Sequence, residues 1–177
     1  MTTSHAPLPN LSAIVAVCDD WGIGLDGDMV VSNRDDMRHF VACTKGRTVL
    51  MGRKTLESFP GGRPLKDRRN VVVTRDGSFA REGVEVAHSL DEALDRVATD
   101  EQVWVVGGGE VYRALIGRCS RAVVTRNHCV RPADTFFPDL DADASWRVAK
   151  TATANEEGDP LVTAEGIPFE FTTYERT

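Results

Sequence analysis

The chain has 177 residues, 41% of them apolar and 27% charged, with a net charge of −6 at pH 7. That length can bury one sizeable core but not two ordinary domains, and no apolar run is long enough to cross a bilayer as a helix. An acidic balance also argues against a nucleic-acid surface, which calls for a basic face.

Residues 1–10 (MTTSHAPLPN) are polar and contain proline, without the basic-then-apolar order of an export signal. They read as a flexible lead-in to a single domain over residues 11–177, in the cytoplasm. Residues 12–18 (SAIVAVC) form a nearly continuous apolar run, as expected for a strand covered on both faces. Residues 19–33 carry Gly22, Gly24 and Gly27 among acidic side chains and read as a mobile functional loop. From Asp35 a helix is predicted, with Met37, Phe40, Val41 and Thr44 on its apolar face and Gly46 as its stop.

Residues 48–51 and 70–74 are short β-branched strands, separated by a small helix near residues 55–59 and a PGGRPLKDRR loop. Residues 84–87 form another predicted strand. A helix follows with a capping box, Ser89 with Glu92, and an apolar stripe of Leu90, Ala93, Leu94 and Val97. Strand returns over residues 102–106 and helix over 110–116. Beyond Arg121 the long alternating segments AVVTRNHCV, SWRVAKTATA and PFEFTTYER have no helices between them, so antiparallel pairing is expected there, with residues 155–167 as a polar, movable connection.

Two of these junctions carry the functional signal. TVLMGRKTLES (48–58) and VVGGGEVY (105–112) each run an apolar strand into polar or glycine residues and then a helix. Such a turn presents backbone N–H groups to phosphate, and two in one domain point to a dinucleotide. Arg47, Arg53, Lys54, Arg63, Lys66, Arg68, Arg69 and Arg75 crowd one third of an otherwise acidic chain. A solvated basic face would explain them, but beside the glycine turns a pocket for a small anionic ligand explains them better. Cys18, Cys43, Cys119 and Cys129 lack CxxC spacing and sit in or beside apolar stretches, so reduced, buried thiols are expected. His5, His39, His88 and His128 are scattered, and no metal site is expected.

Taken in order, AIVAVCDDWGIG, DDMRHF, MGRKTLES, GRPLKDRRNVVVT, VVGGGEVY and VVTRNHCVRPADTFFPD resemble the dihydrofolate reductase family over nearly the whole chain. The resemblance implies a single α/β domain whose central, mixed and mostly parallel twisted sheet has about eight strands, flanking helices and an antiparallel C-terminal hairpin. It implies reduction of 7,8-dihydrofolate to 5,6,7,8-tetrahydrofolate, with hydride passing from nicotinamide C4 of NADPH to pterin C6 and a proton reaching N5. Antifolate inhibitors would be further ligands. A monomer is expected, with neither nucleic acid nor membrane as partner.

By the same resemblance Asp36 and Thr125 are the catalytic pair. Asp36 would hold the pterin amino group and ring N–H, and Thr125 would orient it. An acid in the first turn of a helix also suits the helix dipole, and Asp35 fits that role equally well. Ile14, Val15, Val31, Phe40, Phe59 and Val106 would surround the substrate ring, and Arg68 would pair with the tail carboxylate, with Arg69 facing solvent. The cofactor would meet Ala16, Ile23, Gly24, Gly52, Arg53, Lys54, Thr55, Thr74, Arg75, Gly107, Gly108, Gly109, Glu110, Val111 and Tyr112. A cis glycine pair is implied within the triple glycine, and the cations at 53, 54 and 75 would favour NADPH over NADH. Asp134 with Thr135 would steady the loop after the first strand.

The chain departs from the family in two places. Where Leu-Pro-Trp is usual before the acidic helix, it has Met29, Val30 and Val31. Valine has no N–H and far less area than an indole, so a wider or drier pocket wall is expected. Glu110 stands directly after the glycines, where some members have a base. Two other readings stay open: a same-fold pyrimidine reductase of riboflavin synthesis, and a noncatalytic NADPH- or pterin-binding protein.

Overall fold

The first apolar run becomes β1 (Leu8–Val17), the middle of an eight-stranded sheet in the computed structural model, which describes residues 6–177. The strand begins within the expected lead-in, whose residues 1–5 lie outside the described part. Tertiary partners extend it: Leu8 pairs with Cys119, and the Asn10 carboxamide donates to the carbonyls of Val97 at 3.3 Å and Asp100 at 2.9 Å. Pro9 is accommodated because the register slips between Leu8 and Ser12, a site that needs no ladder N–H.

The glycine-rich stretch is also more ordered than its composition implies. β2 (Gly22–Leu25) and β3 (Asp28–Met29) form a hairpin, joined by β9 (Thr135–Phe136) into a small three-stranded sheet. Its base is pinned by Trp21, which stacks on Phe137 at 6.2 Å and packs against Tyr174 at 6.1 Å.

Helix α1 (Arg34–Thr44) follows, then β4 (Thr48–Gly52), α2 (Arg53–Ser58), β5 (Arg69–Val73), β6 (Val84–Ala87), α3 (Leu90–Arg96), β7 (Val103–Gly107), α4 (Gly109–Leu115) and β8 (Cys119–Asn127). The chain ends in β10 (Trp146–Ala152) and β11 (Phe169–Arg176). The sheet order is β10-β11-β8-β1-β7-β4-β5-β6. All pairs from β8 to β6 are parallel, while β11 runs antiparallel to both β8 and β10. The mixed, mostly parallel sheet is thus as expected, with β8 joining the parallel set through β1. The connection before β11 is braced by bridges from Ala154 to Pro160 and from Val162 to Pro168.

Strand alternation divides the core between the two faces of the sheet. Leu11, Ala13, Val15 and Val17 pack on the side of α3 and α4 with Ala93, Leu94 and Leu115. Ile14 packs on the other side with Val49, Met51, Leu56 and the flanking Phe40, Phe59 and Val106. Val15 therefore turns its side chain away from the ring wall, and only its backbone can serve a ligand there.

Helix α1 corrects the expected apolar stripe. Met37 and Val41 are 50% and 43% exposed, whereas Asp36 and Thr44 are buried, with Phe40 between them on the inward face. Phe40 and Thr44 are inward as predicted, but Asp36 takes the place expected for Met37 and Val41, so the face turned to the sheet is part polar and part aromatic and not a hydrophobic seam. Gly46, at φ +74, follows the helix in the left-handed conformation suited to its stop.

Arg69 does not face solvent. It forms paired hydrogen bonds to Glu85 at 2.6 and 2.9 Å and to Asp100 at 2.8 and 2.9 Å, tying β5 to β6 and to the turn before β7. The two acids hold the guanidinium even more firmly protonated than usual.

At α3 the capping pair forms. Ser89 Oγ accepts from the Glu92 N–H at 3.0 Å, while the Glu92 carboxylate accepts from the N–H of His88 at 2.8 Å, one residue outside the expected partner. Replacing Ser89 by Ala is expected to cost about 1 kcal/mol, measured as a lower urea midpoint with an unchanged m-value.

Candidate active site

The carboxyl ends of β1, β4 and β7 and the inward face of α1 enclose the site. Asn33 starts α1 in extended backbone, and its side-chain oxygen accepts from the N–H of Asp36 at 3.0 Å. Its amide nitrogen donates to Asn127 Oδ1 at 3.1 Å, and Asn127 reaches the Val17 carbonyl at 3.5 Å. Two residues earlier on β8, on the same face, Thr125 donates its hydroxyl to Asp36 Oδ1 at 2.5 Å. β8 thus fixes Asp36 twice, once through its backbone and once through its carboxylate. Burial raises the Asp36 pKa above its ordinary value, with the Thr125 hydrogen bond pulling the other way.

At the far end of α1, Arg68 Nε donates to Thr44 Oγ1 at 3.2 Å and Nη1 to the Lys66 carbonyl at 2.8 Å. Its Nη2 is buried without a hydrogen-bond partner. A buried, unpaired guanidinium nitrogen is costly unless a ligand oxygen completes it. The surrounding groove, about 810 Å³, also carries Arg63, Lys66 and Arg81. Asp36 and Thr44 are eight residues apart on one helical face, a rise of about 12 Å. A carboxylate and a hydroxyl-held guanidinium thus stand at the two ends of the inward face of α1, and Phe40, Phe59, Ile14 and Val106 belong to one apolar cluster on that side of the sheet.

The two glycine turns lie side by side because β4 and β7 are neighbours. A Cβ on Gly52 would come within 3.3 Å of Val111, and one on Gly107 or Gly108 within 3.2 or 3.3 Å of the Thr55 hydroxyl. Gly107–Gly108 is a cis peptide, and Gly107 sits at φ +134. Gly52 and Gly108 begin α2 and α4 with no side-chain cap, leaving first-turn N–H groups open. Lys54, Arg75 and Glu110 are exposed, with Thr74 at the end of β5 beside Arg75. Arg53 is committed to Glu57 at 2.6 Å and Asp76 at 2.8 Å. Tyr112 is buried and donates its hydroxyl to the Ile14 carbonyl at 2.7 Å, which leaves that oxygen one further lone pair. These close-fitting glycines, open N–H groups and flanking cations suit a pyrophosphate-bearing dinucleotide.

In the loop segment, Ile23 packs on the α4 side of the core and Gly24 is half-buried, as is Ala16 on β1. The Asp26 N–H donates to Asp134 Oδ2 at 3.0 Å, and Asp134 N donates to the Gly24 carbonyl at 2.9 Å. Met29 is exposed, but Val31 is buried at 3% exposure. Sequence reasoning missed Asn33 and Asn127. A helix-capping Asn was legible three residues before Asp36, but nothing in the sequence links it to a residue 94 positions away.

A family model described as dihydrofolate reductase matches residues 10–176. The chain belongs to the dihydrofolate reductase family. It is 43% identical over 143 residues to dihydrofolate reductase type 3 of Salmonella typhimurium, covering 81% of this chain and 86% of that protein. Against the Bacillus subtilis dihydrofolate reductase it is 32% identical over 167 residues, covering 94% of each chain. Dihydrofolate reductase from Enterococcus faecalis, solved with NADP(H) and RAB-propyl, superposes with a TM-score of 0.82 at 30% identity, covering 98% of this chain and 99% of that one.

Two predictions follow from the geometry. Because the folded pKa of Asp36 is raised, the native state holds that proton more tightly than the unfolded chain does. Stability therefore falls as pH rises through the folded pKa, and the ionised carboxylate weakens the fold at neutral pH. Asp36→Asn keeps an oxygen for Thr125, so its Tm should exceed that of the parent at pH 7, with the gap closing below about pH 4. A Cβ on Gly109 would sit 2.6 Å from Thr135 Cγ2. Gly109→Ala should cost about 1–3 kcal/mol by denaturant titration, and adding Thr135→Ser, which removes that methyl group, should restore most of it.

Proposed function

We propose that the chain is an NADPH-dependent reductase of 7,8-dihydrofolate, forming 5,6,7,8-tetrahydrofolate. The observation that carries this reading is the pairing of a buried, threonine-held carboxylate at Asp36 with an arginine, Arg68, that keeps one nitrogen unpaired and is held by Thr44, a rise of about 12 Å further along the same helix face. Dihydrofolate has matching ends. Its pterin offers an amino group and a ring N–H to Asp36, and its glutamate tail offers a carboxylate to Arg68, for which a guanidinium is the best donor. Phe40, Phe59, Ile14 and Val106 hold the rings between them and exclude water.

The protein's chemical task is to favour a protonated pterin. Asp36 forms charge-assisted hydrogen bonds to the ring, and Thr125 keeps its carboxylate in plane, so basicity at N5 rises and water can deliver the proton. NADPH, when bound, supplies the hydride. The open N–H groups of α2 and α4 and the triple glycine would hold its pyrophosphate, and Lys54 and Arg75 would meet the 2′-phosphate. Arg53 would contribute by exchanging its ion pairs. Asp36, Thr125 and Arg68 come from one chain, which supports a monomer, and the four free thiols support a reducing cytoplasm. A protonated diaminopyrimidine antifolate would pair with Asp36 in the same way as the pterin.

The test is the absorbance of NADPH consumed with dihydrofolate, run beside NADH. Activity should prefer NADPH. Asp36→Asn should lower kcat/KM roughly 10²–10⁴-fold with NADPH affinity nearly unchanged. Arg68→Leu should instead raise KM for dihydrofolate with little change in kcat. Reduction of a ribosylamino-pyrimidine phosphate in place of dihydrofolate would establish the same-fold alternative, and cofactor binding without turnover on either would establish a binding protein.

A further inference from the structure

Cys18 and Cys129 lie 111 residues apart in sequence, yet their Sγ atoms are 3.7 Å from each other, and both are free thiols. The backbone imposes this meeting. β1 and β8 run side by side to Val17 and Arg126, and beyond them the Asp19 N–H donates to the Cys129 carbonyl at 3.0 Å. Segments hydrogen-bonded in this way lie roughly 5 Å apart, a separation a cystine can span without moving the chain. The other two cysteines have no thiol neighbour: Cys119 is buried, and Cys43 faces His39 Nε2 at 3.7 Å.

The pair sits where the active-site loop leaves the sheet. The Cys18 N–H donates to the Gly22 carbonyl and the Cys18 carbonyl accepts from Trp21, both at 2.9 Å, so Cys18 closes the turn that starts β2. Two residues beyond Cys129, Arg131 donates to the Val30 carbonyl at 3.1 Å and to Glu165 at 2.6 Å, holding the other end of the same loop. A bond between the thiols would fasten one end of residues 19–33 covalently to the segment just beyond β8, whose Arg131 already holds the other end at Val30.

We propose that Cys18 and Cys129 are a redox modification site, which a low-molecular-weight disulfide converts to a reversible intramolecular cystine that restrains the loop. Cys129, half-exposed, is the entry point. Its thiolate attacks one sulfur of the small disulfide RSSR, forming Cys129–S–S–R and releasing RS⁻. Cys18 then gives up its proton and attacks Cys129 Sγ. The mixed bond breaks, the second RS⁻ leaves, and the two protons lost by the cysteines convert both leaving groups to RSH. The two cysteines are oxidised, and RSSR is reduced to two RSH.

This order follows from the surroundings. Burial, the neighbouring Cys129 and the nearby Asp20 push the Cys18 thiol up to about 12, against the pull of Arg131, so it is a poor first attacker. In the second step its target is already in contact, and the proximity of the two sulfurs compensates for a small thiolate fraction.

The experiment treats the purified chain with oxidised glutathione, then measures intact mass, free thiols after denaturation, and non-reducing peptide maps. Expected results are a loss of about 2 Da, a fall from four free thiols to two, and a linked peptide containing Cys18 and Cys129, all reversed by dithiothreitol. Cys18→Ser should stop at a glutathione adduct on Cys129, and Cys129→Ser should keep all three remaining thiols. A stable adduct on wild-type Cys129, a different linked pair, or four thiols left unreacted would each overturn the proposal. Turnover should fall at least threefold on oxidation and recover on reduction. That last result rests on the reductase reading, whereas the mass and thiol counts do not, so the two can fail separately.

Discussion

Thr125 donates to Asp36 across 2.5 Å in a site that leaves Asp36 only 7% exposed. Burial alone would favour the protonated acid, and the hydroxyl partly restores the charged form. The remaining architecture keeps these two atoms together. Parallel pairing of β1 with β8 places Thr125 opposite Ala16, which sets the depth of the hydroxyl, and Asn127 holds the start of α1 through Asn33. In a low-dielectric setting such bonds are strong when complete and costly when one partner is lost, so position here is set by polar contacts and not by packing alone.

Helix α1 gives up a hydrophobic seam to serve this end. Its inward residues, Asp36, Phe40 and Thr44, provide a charge, an aromatic face and a hydroxyl in turn, the last held by Arg68. A helix so patterned earns little from apolar burial. Its stability comes from the Asn33 cap and from Asp35, whose charge the helix dipole favours in the first turn. The same alternation of chemistry along one face gives a ligand an orientation as well as a place.

Much of this was legible in the chain. The strand-to-glycine junctions at residues 52 and 107–109 announce themselves because only a few residue types permit close backbone approach. β-branched runs such as NVVVT and the Ser89–Glu92 pair carry local signals that tertiary structure left intact. What stayed hidden depends on distant partners. Arg68 and Arg69 are adjacent and chemically identical, yet one holds two acids and the other keeps a nitrogen unpaired, a distinction made by Glu85 and Asp100. The hairpin at β2 and β3 needs β9, more than a hundred residues on, to become a sheet, so its glycines read as a mobile functional loop. Met37 and Val41 suggested a buried face because periodicity locates a stripe but does not say which neighbouring stripe the sheet will cover.

The position of β1 has a consequence for how the protein is made. It is synthesised before every other strand of the sheet and lies at the sheet's middle, but it pairs with β7 and β8, which begin at Val103 and Cys119. Until most of the chain has been synthesised, this apolar segment has no neighbours on either edge. Closing contacts of such long range is slow, and an unpaired apolar strand invites association with other nascent chains. The strand that organises the finished enzyme is thus the one that waits longest during translation, when a chaperone would find most to hold.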